Sequence, residues 1–469
     1  MKEYDLLVLG GGSANKVSYW AYKEGLKVAL VEHGPLGGTC LNRGCVPSKM
    51  MIYPADVRHE ARFSADLNLD LKLGSADFSG LMERVRARRR RATEYKEKTI
   101  EKADSYHWYK QTGVFVDDYV LEVDNEELTA DRIVIATGTR PLIPPISGIE
   151  EVDYLTTRSI FELTQQPQQM TIIGGGYVAA EFSHFFSAMG TEVTIVGRNP
   201  FLVKHEDEDV SELLREELSR RMTVLTNHEA IEVQQNENSK TVIARNRESG
   251  EEAEIPSDTL LVATGRQPNS DNCRPERTGV ELDESGFITT DEYLRTSKKG
   301  IWALGDATGV PMFKHVADRE TEIVWHNIQA SISGKEPLRS MDYEAIPHAV
   351  FSYPQIATVG KTLAEAKAGK SDLLVGKAEY TDVAKGDAMG KPRGFCRIIA
   401  NAESNAILGA SIIGPYAPLL IQPVTQAMYS SDRHYNRLLN PIYIHPALPE
   451  VVRNAARNLE PFQANNISS

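Results

Sequence analysis

The sequence predicts an α/β protein with two parallel-sheet modules and a third, C-terminal α+β domain. Two observations predict the modules: a glycine-rich turn follows a buried strand twice, and two further strands end in Ala-Thr-Gly. A third observation predicts the last domain. After about residue 340 the chain changes to strand-like runs such as 397–399 and 407–413, with helices between them.

The chain is long and acidic. It has 469 residues, with 52 basic and 65 acidic side chains and a formal net charge of −13. At about 150 residues per domain, this length predicts roughly three domains. The negative charge argues against a primary nucleic-acid binder, whose phosphate contacts need a positive field. No apolar run approaches the roughly 18 to 20 residues of a membrane helix, and the run 6–9 is not a signal peptide. We therefore expect a soluble, cytoplasmic protein.

The first module begins the chain. The apolar run 4–9 leads into the glycines at 10–12, and a second apolar run, 27–31, ends in Glu32. This is a βαβ unit, in which a phosphate binds at the helix N-terminus and an acid about 20 residues on binds a ribose hydroxyl. Asn15 occupies the third fingerprint position, where Gly or Ala normally allows close helix packing.

The second module carries the fingerprint intact. Gly174, Gly176 and Ala179 follow a strand at 170–173, and the next strand is 193–196. The chain therefore contains two Rossmann-like dinucleotide-binding domains. Two such domains in one chain imply an enzyme with two nucleotide cofactors, as in flavoproteins that a nicotinamide reduces.

The most specific pattern is the pair Cys40 and Cys45, separated by four residues. This spacing does not match the Cys-x2-Cys of structural zinc sites, and no second pair follows it. A reversible disulfide fits better, with one thiol exposed to substrate and the other beside an electron donor. The remaining cysteines are isolated, and we expect Cys273 to be a loop thiol and Cys396 a core residue.

These motifs, together with Gly305-Asp306 and the His-Pro-Ala-Leu-Pro-Glu run at 445–450, resemble the class I pyridine nucleotide–disulfide oxidoreductases over essentially the whole chain. The mycothione reductase branch looks nearest, and the chain is also similar to dihydrolipoamide dehydrogenase and glutathione reductase. The features shared with the nearest branch include the runs 10–15, 49–50, 314–317 and 420–423.

The resemblance implies three domains. The FAD-binding domain would comprise residues 1–150 and 270–340, interrupted by an NAD(P)H-binding domain at 151–269. The C-terminal α+β part, 341–469, would be a dimerisation domain. The active enzyme is therefore expected to be a homodimer.

The resemblance also implies a route for the electrons. Hydride passes from the reduced nicotinamide to the flavin, beside which Lys49 and Glu181 form an ion pair, and Tyr177 covers the empty nicotinamide site. The Cys40–Cys45 disulfide is then opened, which leaves Cys45 as the thiolate beside the flavin and Cys40 as the interchange thiol.

The departing thiolate of the substrate needs a proton. His445 is the expected acid/base, because imidazole titrates near working pH, and Glu450 would orient it and favour its protonated form. In this family the pair comes from the partner subunit. Pro449 and Glu450 also suit the first turn of a helix.

The cofactor-binding residues follow from the same resemblance. Glu32 matches the ribose ligand, Asp306 the residue at the ribityl–phosphate region, and His315 lies where a helix N-terminus should favour negative charge on the flavin. The expected FAD residues are Gly10, Gly12, Glu32, Lys49, Gly113, Thr137, Gly138, Asp306 and His315. The expected NADPH residues are Gly174, Gly176, Tyr177, Ala179, Arg198, Lys204 and Gly265.

Two features bear on specificity. The second strand of the nicotinamide module ends in Gly197-Arg198, with Lys204 following, and lacks the acid that NAD-dependent enzymes place there. Two cations suit a 2′-phosphate, so we predict NADPH, with NADH still possible. Trp20 stands about where glutathione reductase places an arginine, which suits a bulkier or less acidic disulfide.

We therefore predict an FAD-dependent NADPH:disulfide oxidoreductase that reduces a low-molecular-weight thiol disulfide through a Cys40–Cys45 redox disulfide. One alternative is a dihydrolipoamide dehydrogenase, which oxidises dihydrolipoyl groups with NAD. Another is a non-enzymatic flavoprotein that docks an anionic partner through the basic run 84–91. Glu83 and Glu94 flank that run, so a solvated helix face is the expected role.

Overall fold

The computed structural model of the protein describes residues 1–101, 103–236, 239–309, 311–334, 338–369, 371–390 and 392–463. Residues 464–469, at the end of the third predicted domain, lie outside the described part. The strands are β1 Lys2–Tyr4, β2 Leu6–Leu9, β3 Val28–Val31, β4 Tyr106–Tyr109, β5 Val114–Asp117, β6 Val120–Val123, β7 Glu126–Ala130, β8 Ile133–Ile135, β9 Thr139–Pro141, β10 Gln169–Ile173, β11 Glu192–Val196, β12 Thr223–Leu225, β13 His228–Asn236, β14 Ser239–Asn246, β15 Glu252–Ser257, β16 Thr259–Val262, β17 Arg266–Pro268, β18 Ile301–Ala303, β19 Pro347–Val350, β20 Ile356–Gly360, β21 Leu373–Glu379, β22 Phe395–Asn401, β23 Ile407–Ile413 and β24 Glu460–Pro461. The helices are α1 Asn15–Lys23, α2 Gly38–Asn42, α3 Cys45–Arg62, α4 Phe78–Ile100, α5 Tyr177–Met189, α6 Glu208–Ser219, α7 Ser270–Cys273, α8 Lys314–Ser333, α9 Leu363–Ala368, α10 Ala384–Ala388, α11 Ala417–Leu420, α12 Gln422–Met428, α13 Asn436–Leu439 and α14 Pro449–Arg457.

The first parallel sheet has the strand order β18-β8-β2-β3-β4. Its strand pairs are all parallel, and every residue of β2 and β3 is buried. Parallel strands covered on both faces are apolar throughout, which explains why these two runs do not alternate with polar residues. The chain passes from β2 to β3 on one side and returns to β8 on the other. Ligands of open parallel sheets bind in the crevice at such a point.

The second parallel sheet repeats this arrangement with the order β12-β11-β10-β16. The central strand β10 again precedes a glycine turn, and it pairs with β11 on one side and β16 on the other. The long buried face of α5 packs on this sheet, with Phe182, Phe185 and Phe186 in its core. The predicted α/β class, with two Rossmann-like modules, is confirmed.

The two repeated motifs are in contact in each module. A Cβ atom on Gly10 would lie 2.1 Å from the Ala136 carbonyl oxygen, and one on Gly174 would lie 2.2 Å from that of Ala263. Both glycines have positive φ, +109° and +132°, which only glycine adopts readily. The glycine turn and the Ala-Thr-Gly strand therefore recur together, because in each module the backbone of the glycine turn passes directly against the backbone at the end of that strand.

The segments after the two Ala-Thr-Gly motifs also pair with each other. β9 and β17 form a small antiparallel sheet, with Pro141 opposite Arg266 and Thr139 opposite Pro268. Arg140 reinforces it by donating to the Pro268 carbonyl oxygen at 2.7 Å. This sheet ties the two modules together where the chain crosses between them.

The C-terminal domain contains a six-stranded sheet of order β19-β20-β23-β22-β21-β24, in which all pairs are antiparallel. Helix α14 packs on it through Val451, Val452, Ala455 and Ala456. Two smaller sheets, β13-β14-β15 and β1-β7-β6-β5, extend the modules. The predicted α+β character of this part is confirmed.

One prediction about local structure needs correction. The strongly charged residues 55–110 look helical from the sequence, and α3 and α4 confirm this for much of the range. The segment 69–77, however, has no regular structure, and β4 forms the edge of the first sheet. Tyr106 explains the strand: its ring is buried in the core, and its hydroxyl lies 2.7 Å from Ser18 Oγ on α1. Tertiary packing therefore overrides the high charge of this region.

Among the residues that the structure describes, no helix has both the length and the apolar character to cross a membrane.

Candidate active site

Cys40 and Cys45 lie together at the junction of two helices. Cys40 is in α2 and Cys45 is the first residue of α3. Both are free thiols, and their side chains hydrogen-bond to each other. Four residues separate the two cysteines, and the chain turns at Gly44. This turn brings the two sulfur atoms into contact. The geometry suits a disulfide that opens and closes.

The two thiols differ in acidity. The hydrogen bond from Cys40, together with the nearby Lys49 ammonium, lowers the pKa of Cys45 to about 7 although burial opposes the shift. The same hydrogen bond and burial raise the pKa of Cys40. A helix N-terminus also favours a thiolate, since its free N–H groups carry partial positive charge. The pair therefore holds one negative charge, on Cys45.

Charged groups from three helices surround Cys40. Lys314 and Asp318 on α8 both influence its acidity, in opposite directions. Lys16 on α1 forms an ion pair with Asp318 at 2.9 Å, and Lys314 also bonds this carboxylate. Burial and the neighbouring Lys314 and Lys16 ammonium groups lower the pKa of Lys96 on α4. Lys314 is thus the cation that acts on the Cys40 sulfur, and it belongs to a network with Asp318, Lys16 and Lys96.

One helical turn beyond Cys45, Lys49 contacts Glu181 of α5. Lys49 Nζ lies 2.7 Å and 2.6 Å from the two carboxylate oxygens, so the predicted ion pair is formed. The Phe351 backbone N–H donates to Glu181 Oε1 at 3.0 Å, and the Phe351 ring lies 4.3 Å from Lys49 Nζ. These contacts hold the ammonium group in one position beside the cysteines.

The glycines of the first module form a surface that fits a dinucleotide. A Cβ on Gly38 would lie 2.6 Å from the Gly12 Cα, so two backbones approach closely at the start of α1. A Cβ on Gly138 would enter open space. Glu32 follows β3, and its two carboxylate oxygens accept from the Gly11 and Gly34 N–H groups at 2.8 Å and 2.7 Å. A carboxylate beside an open helix N-terminus matches the needs of a ribose and a diphosphate.

The other residues expected at this surface lie around it. Asp306 follows β18 and accepts from Thr139 Oγ1 at 3.0 Å, with Arg266 Nε 3.7 Å away. His315 lies in the first turn of α8, where its Nε2 donates to the Pro347 carbonyl oxygen at 2.7 Å. Thr137 and Gly138 leave β8 at the same edge as the glycine turn. Gly113 differs: it is buried against the Leu121 and Val31 side chains, which leave no room for a Cβ.

The second module has its own open glycine surface. Gly176 caps α5 and, like Gly265, has nothing within 4 Å of a built Cβ. Arg198 follows β11, with two-thirds of its side chain exposed and Glu229 as an ion-pair partner at 3.6 Å. The Val203 N–H donates to the Gly175 carbonyl oxygen at 2.6 Å, which brings the exposed Lys204 to this loop. Both cations therefore lie near the glycine turn.

His445 and Glu450 form a pair at the start of α14. His445 Nδ1 lies 3.2 Å and 3.1 Å from the two carboxylate oxygens, and Arg453 and the Ala447 N–H also donate to Glu450. The Ala447 N–H and these side chains lower the pKa of Glu450. The carboxylate is buried, but 70% of the His445 side chain is exposed. Among the described residues of one chain, His445 contacts Glu450 and neither cysteine.

Large apolar side chains are exposed near both halves of this site. Tyr53 and Val57 lie on α3, Leu419 lies on α11, and Ile442 and Ile444 lie just before His445. More than half of each of these residues is exposed. Apolar surface of this kind marks a protein–protein contact.

Sequence reasoning missed several residues of the site. Lys16 and Lys96 lie outside every motif, and only packing of α1 and α4 against α8 brings them to Asp318. Asn15, which breaks the fingerprint, accepts from the Tyr106 hydroxyl at 2.8 Å, so its polar side chain is satisfied. Trp20 packs against the first module's core and lines a shallow surface cavity of about 260 Å³ with Trp325.

The two remaining cysteines and the basic run 84–91 also have defined surroundings. Cys273 is buried at the end of α7 instead of lying in a loop, and Cys396 is buried in β22 as expected. The basic run lies in α4, where Glu83 bonds two of its arginines and Glu162 a third. Much of its charge is therefore paired within the chain.

Comparisons with known proteins agree with this geometry. Residues 4–321 match the family described as pyridine nucleotide-disulphide oxidoreductase, and residues 346–456 match its dimerisation domain. The chain is 36% identical to mycothione reductase of Mycobacterium tuberculosis over 98% of this chain and 100% of that protein. It is 35% identical to mercuric reductase of Staphylococcus aureus over 91% of this chain and 77% of that protein. It is 30% identical to dihydrolipoyl dehydrogenase 2 of Haloarcula marismortui over 96% of each chain.

A solved structure shares the whole fold. The HOCl-induced flavoprotein disulfide reductase RclA from Escherichia coli is 26% identical, with a TM-score of 0.84 over 97% of this chain and 99% of that chain.

Proposed function

The chain belongs to the pyridine nucleotide–disulphide oxidoreductases, and from this premise we propose that it reduces the disulfide of a low-molecular-weight thiol with NADPH, in the manner of mycothione reductase. It is an FAD-dependent enzyme that uses NAD(P)H and acts on sulfur groups. The observation that carries the proposal is the contact between Cys40 and Cys45 at the start of α3, with Lys49 one turn away.

The chemistry starts from the Cys40–Cys45 disulfide. Bound FAD and NADPH supply the two electrons that reduce it to a thiol and a thiolate. The Cys40 thiol gives its proton to His445 as its sulfur attacks one sulfur of the substrate disulfide and forms a mixed disulfide. The first departing thiolate takes that proton back from His445 and leaves as a thiol. The Cys45 thiolate then attacks the Cys40 sulfur and restores the internal disulfide, and the second departing thiolate takes a proton from water. Two electrons and two protons thus convert one disulfide into two thiols.

Each proton and charge in this sequence has a candidate residue. The imidazole of His445 gives a proton to the first departing thiolate, and Glu450 holds its Nδ1. We propose that this pair acts on the partner subunit's cysteines, because 70% of His445 is exposed and its own cysteines lie elsewhere. The Lys314 ammonium group near Cys40 favours the negative charge that develops on the leaving sulfur.

The proposed cofactor positions follow the glycine surfaces. The first module, with Glu32, Asp306 and the start of α8, would hold FAD, and the second would hold NADPH. Arg198 and Lys204 support a preference for NADPH, because a 2′-phosphate gains from two nearby cations and β11 is not followed by the acid that binds a 2′-hydroxyl. The phosphate would replace Glu229 as the partner of Arg198. The three domain boundaries of the sequence analysis belong to the same proposal.

The test is a steady-state assay of the flavin-loaded protein with NADPH and NADH side by side. The disulfides would be those of mycothiol, γ-glutamylcysteine, glutathione and lipoamide, with dihydrolipoamide and NAD in the reverse direction. We expect NADPH to give the higher kcat/KM with a low-molecular-weight disulfide. Faster oxidation of dihydrolipoamide by NAD would support dihydrolipoamide dehydrogenase instead.

Cys40→Ser provides the internal control for this assay. The variant should lose disulfide turnover, yet its bound flavin should still be reduced by NADPH, because Cys40 is needed only for the exchange with substrate. Disulfide reduction that survives in Cys40→Ser would rule out the proposed exchange.

A further inference from the structure

A buried polar cluster lies where the two modules meet the C-terminal domain. It consists of Tyr177 at the start of α5, Glu206 before α6, His348 on β19 and Thr358 on β20. None of these residues takes part in the exchange of thiols. Burying an ionised carboxylate costs free energy unless it is fully paired, so this cluster calls for a specific role.

Glu206 is the centre of the cluster. Its side chain has no exposed surface, and His348 Nε2 lies 2.8 Å from Oε1. Thr358 donates to Oε2 at 2.7 Å, and the Tyr177 hydroxyl donates to Oε1 at 3.3 Å. Burial alone would raise the pKa of Glu206, but the hydrogen bonds and His348 outweigh it and lower this pKa. Burial and the Glu206 carboxylate raise the pKa of Tyr177, which therefore keeps its proton.

The turn that presents Glu206 is strained. Val203 has φ +43°, in a region that a β-branched residue rarely enters. Its N–H donates to the Gly175 carbonyl oxygen, and its own carbonyl accepts from the Glu206 N–H at 2.8 Å. The turn is thus fixed at one end to the glycine loop of the nicotinamide module and at the other to Glu206. Strain of this kind persists where the surrounding structure demands a particular position.

Four aromatic rings continue the cluster toward the first module. Tyr177 stacks on His348 with the ring centroids 5.9 Å apart, and His348 stacks on Phe313 at 5.5 Å with an interplanar angle of 3°. Phe313 in turn stacks on His315 at 5.5 Å. Phe313 caps α8, the helix whose N-terminus lies beside the proposed flavin site. The ring of Tyr177 is therefore held from both its face and its hydroxyl.

We propose that Glu206, supported by His348, is a positioning residue that holds the Tyr177 ring over the nicotinamide site and so sets how tightly the reduced nicotinamide binds. The proposal rests on the proposed function and on the role that the family resemblance implies for Tyr177, which is to cover that site. When the nicotinamide enters, the ring must leave, and the hydrogen bond between its hydroxyl and Glu206 is broken. The strength of that hydrogen bond is therefore part of the free energy of nucleotide binding.

The direction of the expected change in NADPH affinity follows from this arrangement. Loss of the hydrogen bond lowers the cost of moving the ring, so NADPH should bind more tightly. A hydrogen bond to a charged acceptor at 3.3 Å corresponds to roughly a five- to tenfold change in Kd. The exchange between Cys40 and the substrate disulfide does not involve Tyr177, and its rate should not change.

The experiment compares Tyr177→Phe, which removes only the hydroxyl, with Glu206→Leu. Anaerobic stopped-flow measurement gives the apparent Kd for NADPH and the rate of flavin reduction. A second mixing of reduced enzyme with disulfide gives the rate of reoxidation. We expect both variants to lower the Kd for NADPH by the same five- to tenfold, the double variant to add nothing further, and reoxidation to keep its wild-type rate.

Tyr380→Phe is the matched control, because it also removes a buried phenol hydroxyl, one that donates to the Pro415 carbonyl oxygen within the C-terminal domain. Its Kd for NADPH should equal that of the wild type. Should Glu206→Leu fail to fold, Tyr177→Phe alone decides the test. An unchanged or weaker Kd in Tyr177→Phe would overturn the positioning role, and so would additive effects in the double variant. Failure of the wild type to reduce any disulfide with NADPH would instead overturn the proposed function.

Discussion

The sulfur of Cys45 is acidic because of its neighbours. The Cys40 thiol donates a hydrogen bond to it, Lys49 adds a positive charge, and the first turn of α3 lies behind it. Each of these favours the thiolate, while burial opposes it. Since the two thiols share one proton, the acidity belongs to the pair.

This sharing leads to a prediction about alkylation. In the reduced holoenzyme, the rate at which iodoacetamide inactivates the enzyme should rise with pH and reach half its maximum at a pH of about 7, because the pair then loses its first proton. An ordinary cysteine would give about 9. Lys49→Met should move the midpoint upward, because the nearby positive charge is lost, and Lys49→Arg should largely preserve it. A midpoint near 9 in the wild type would contradict the assigned thiolate.

Cys273 and Cys396 serve as internal controls. Burial raises the pKa of each to about 12. Mass spectrometry of the alkylated enzyme should therefore find both peptides unlabelled at the pH values where activity is lost.

How far the sequence predicts the site depends on how local each signal is. Cys40, Cys45 and Lys49 fall within one short run, and His445 and Glu450 within another, so the resemblance to the family could assign each run to the site from the sequence. Glu206 and His348 are far apart in the chain, and neither lies in a motif of the sequence analysis. Their contact depends on the packing of β19 against the turn before α6. A buried hydrogen-bonded contact of this kind has no signal in a single sequence.

At the scale of elements, one carboxylate connects two helices of different domains. Asp207 precedes α6 but caps α9, since it accepts from the Leu363 and Ala364 N–H groups at 3.0 Å and 3.2 Å. Arg397 of β22 donates to the same carboxylate at 2.6 Å, and both side chains are buried, with 6% and 7% exposed. The second module is thus joined to the C-terminal domain by the buried Asp207 carboxylate, and leaving this charge unpaired would cost free energy.

Removal of Arg397 should therefore be costly. Arg397→Leu leaves Asp207 buried with its two backbone donors alone, and we expect the free energy of unfolding to fall by about 3 to 5 kcal/mol. Arg393→Leu is the matched control. It removes an arginine that also bonds two acids of α6, but 45% of its side chain is exposed, so the expected loss is about 0 to 1 kcal/mol.

Chemical denaturation of the holoenzyme, followed by far-UV circular dichroism, measures both variants. Equal and small losses in the two would show that the Arg397–Asp207 contact contributes little to stability.

Local patterns and long-range packing account for different parts of the fold. The repeated glycine and Ala-Thr-Gly motifs predicted both modules, because each pair corresponds to a backbone crossing that only glycine permits. The strand β4 was not predicted, since its residues follow a charged helix and become a strand only at the edge of the first sheet. The helical prediction for 55–110 therefore holds for α3 and α4 and fails at β4.

At the scale of the whole molecule, the exposed apolar side chains indicate how the site is completed. Tyr53 and Val57 on α3 lie about two and three turns beyond Cys45, and Ile442 and Ile444 lie just before His445. The matched dimerisation domain covers residues 346–456. A two-fold contact through these surfaces would bring the His445 of one subunit toward the cysteines of the other.

Mixed dimers test this arrangement directly. Cys40→Ser and His445→Ala should each be nearly inactive as homodimers. A mixed dimer retains one intact site if His445 serves the partner subunit, because the remaining Cys40 and the remaining His445 then belong to different chains. After the two variants are dissociated and reassociated in equal amounts, about a quarter of wild-type activity should return, since about half of the dimers are mixed.

The opposite result is expected if each subunit uses its own His445. Every chain in a mixed dimer would then lack one essential group, and mixing would restore no activity. Mixing each variant with itself under the same conditions controls for losses during reassociation.

The first sheet also determines the order in which the protein can be assembled during synthesis. Its edge strand β18 pairs with β8, yet the entire second module lies between these strands in the chain. When β8 leaves the ribosome, the edge that will later pair with β18 has no partner. The second module then emerges as one continuous stretch of chain, so its strands β10, β11, β12 and β16 can pair with one another at once. The second module should therefore complete its sheet before the first module does. Its folding should bring β18 close to the unpaired edge of β8 before another chain can bind there.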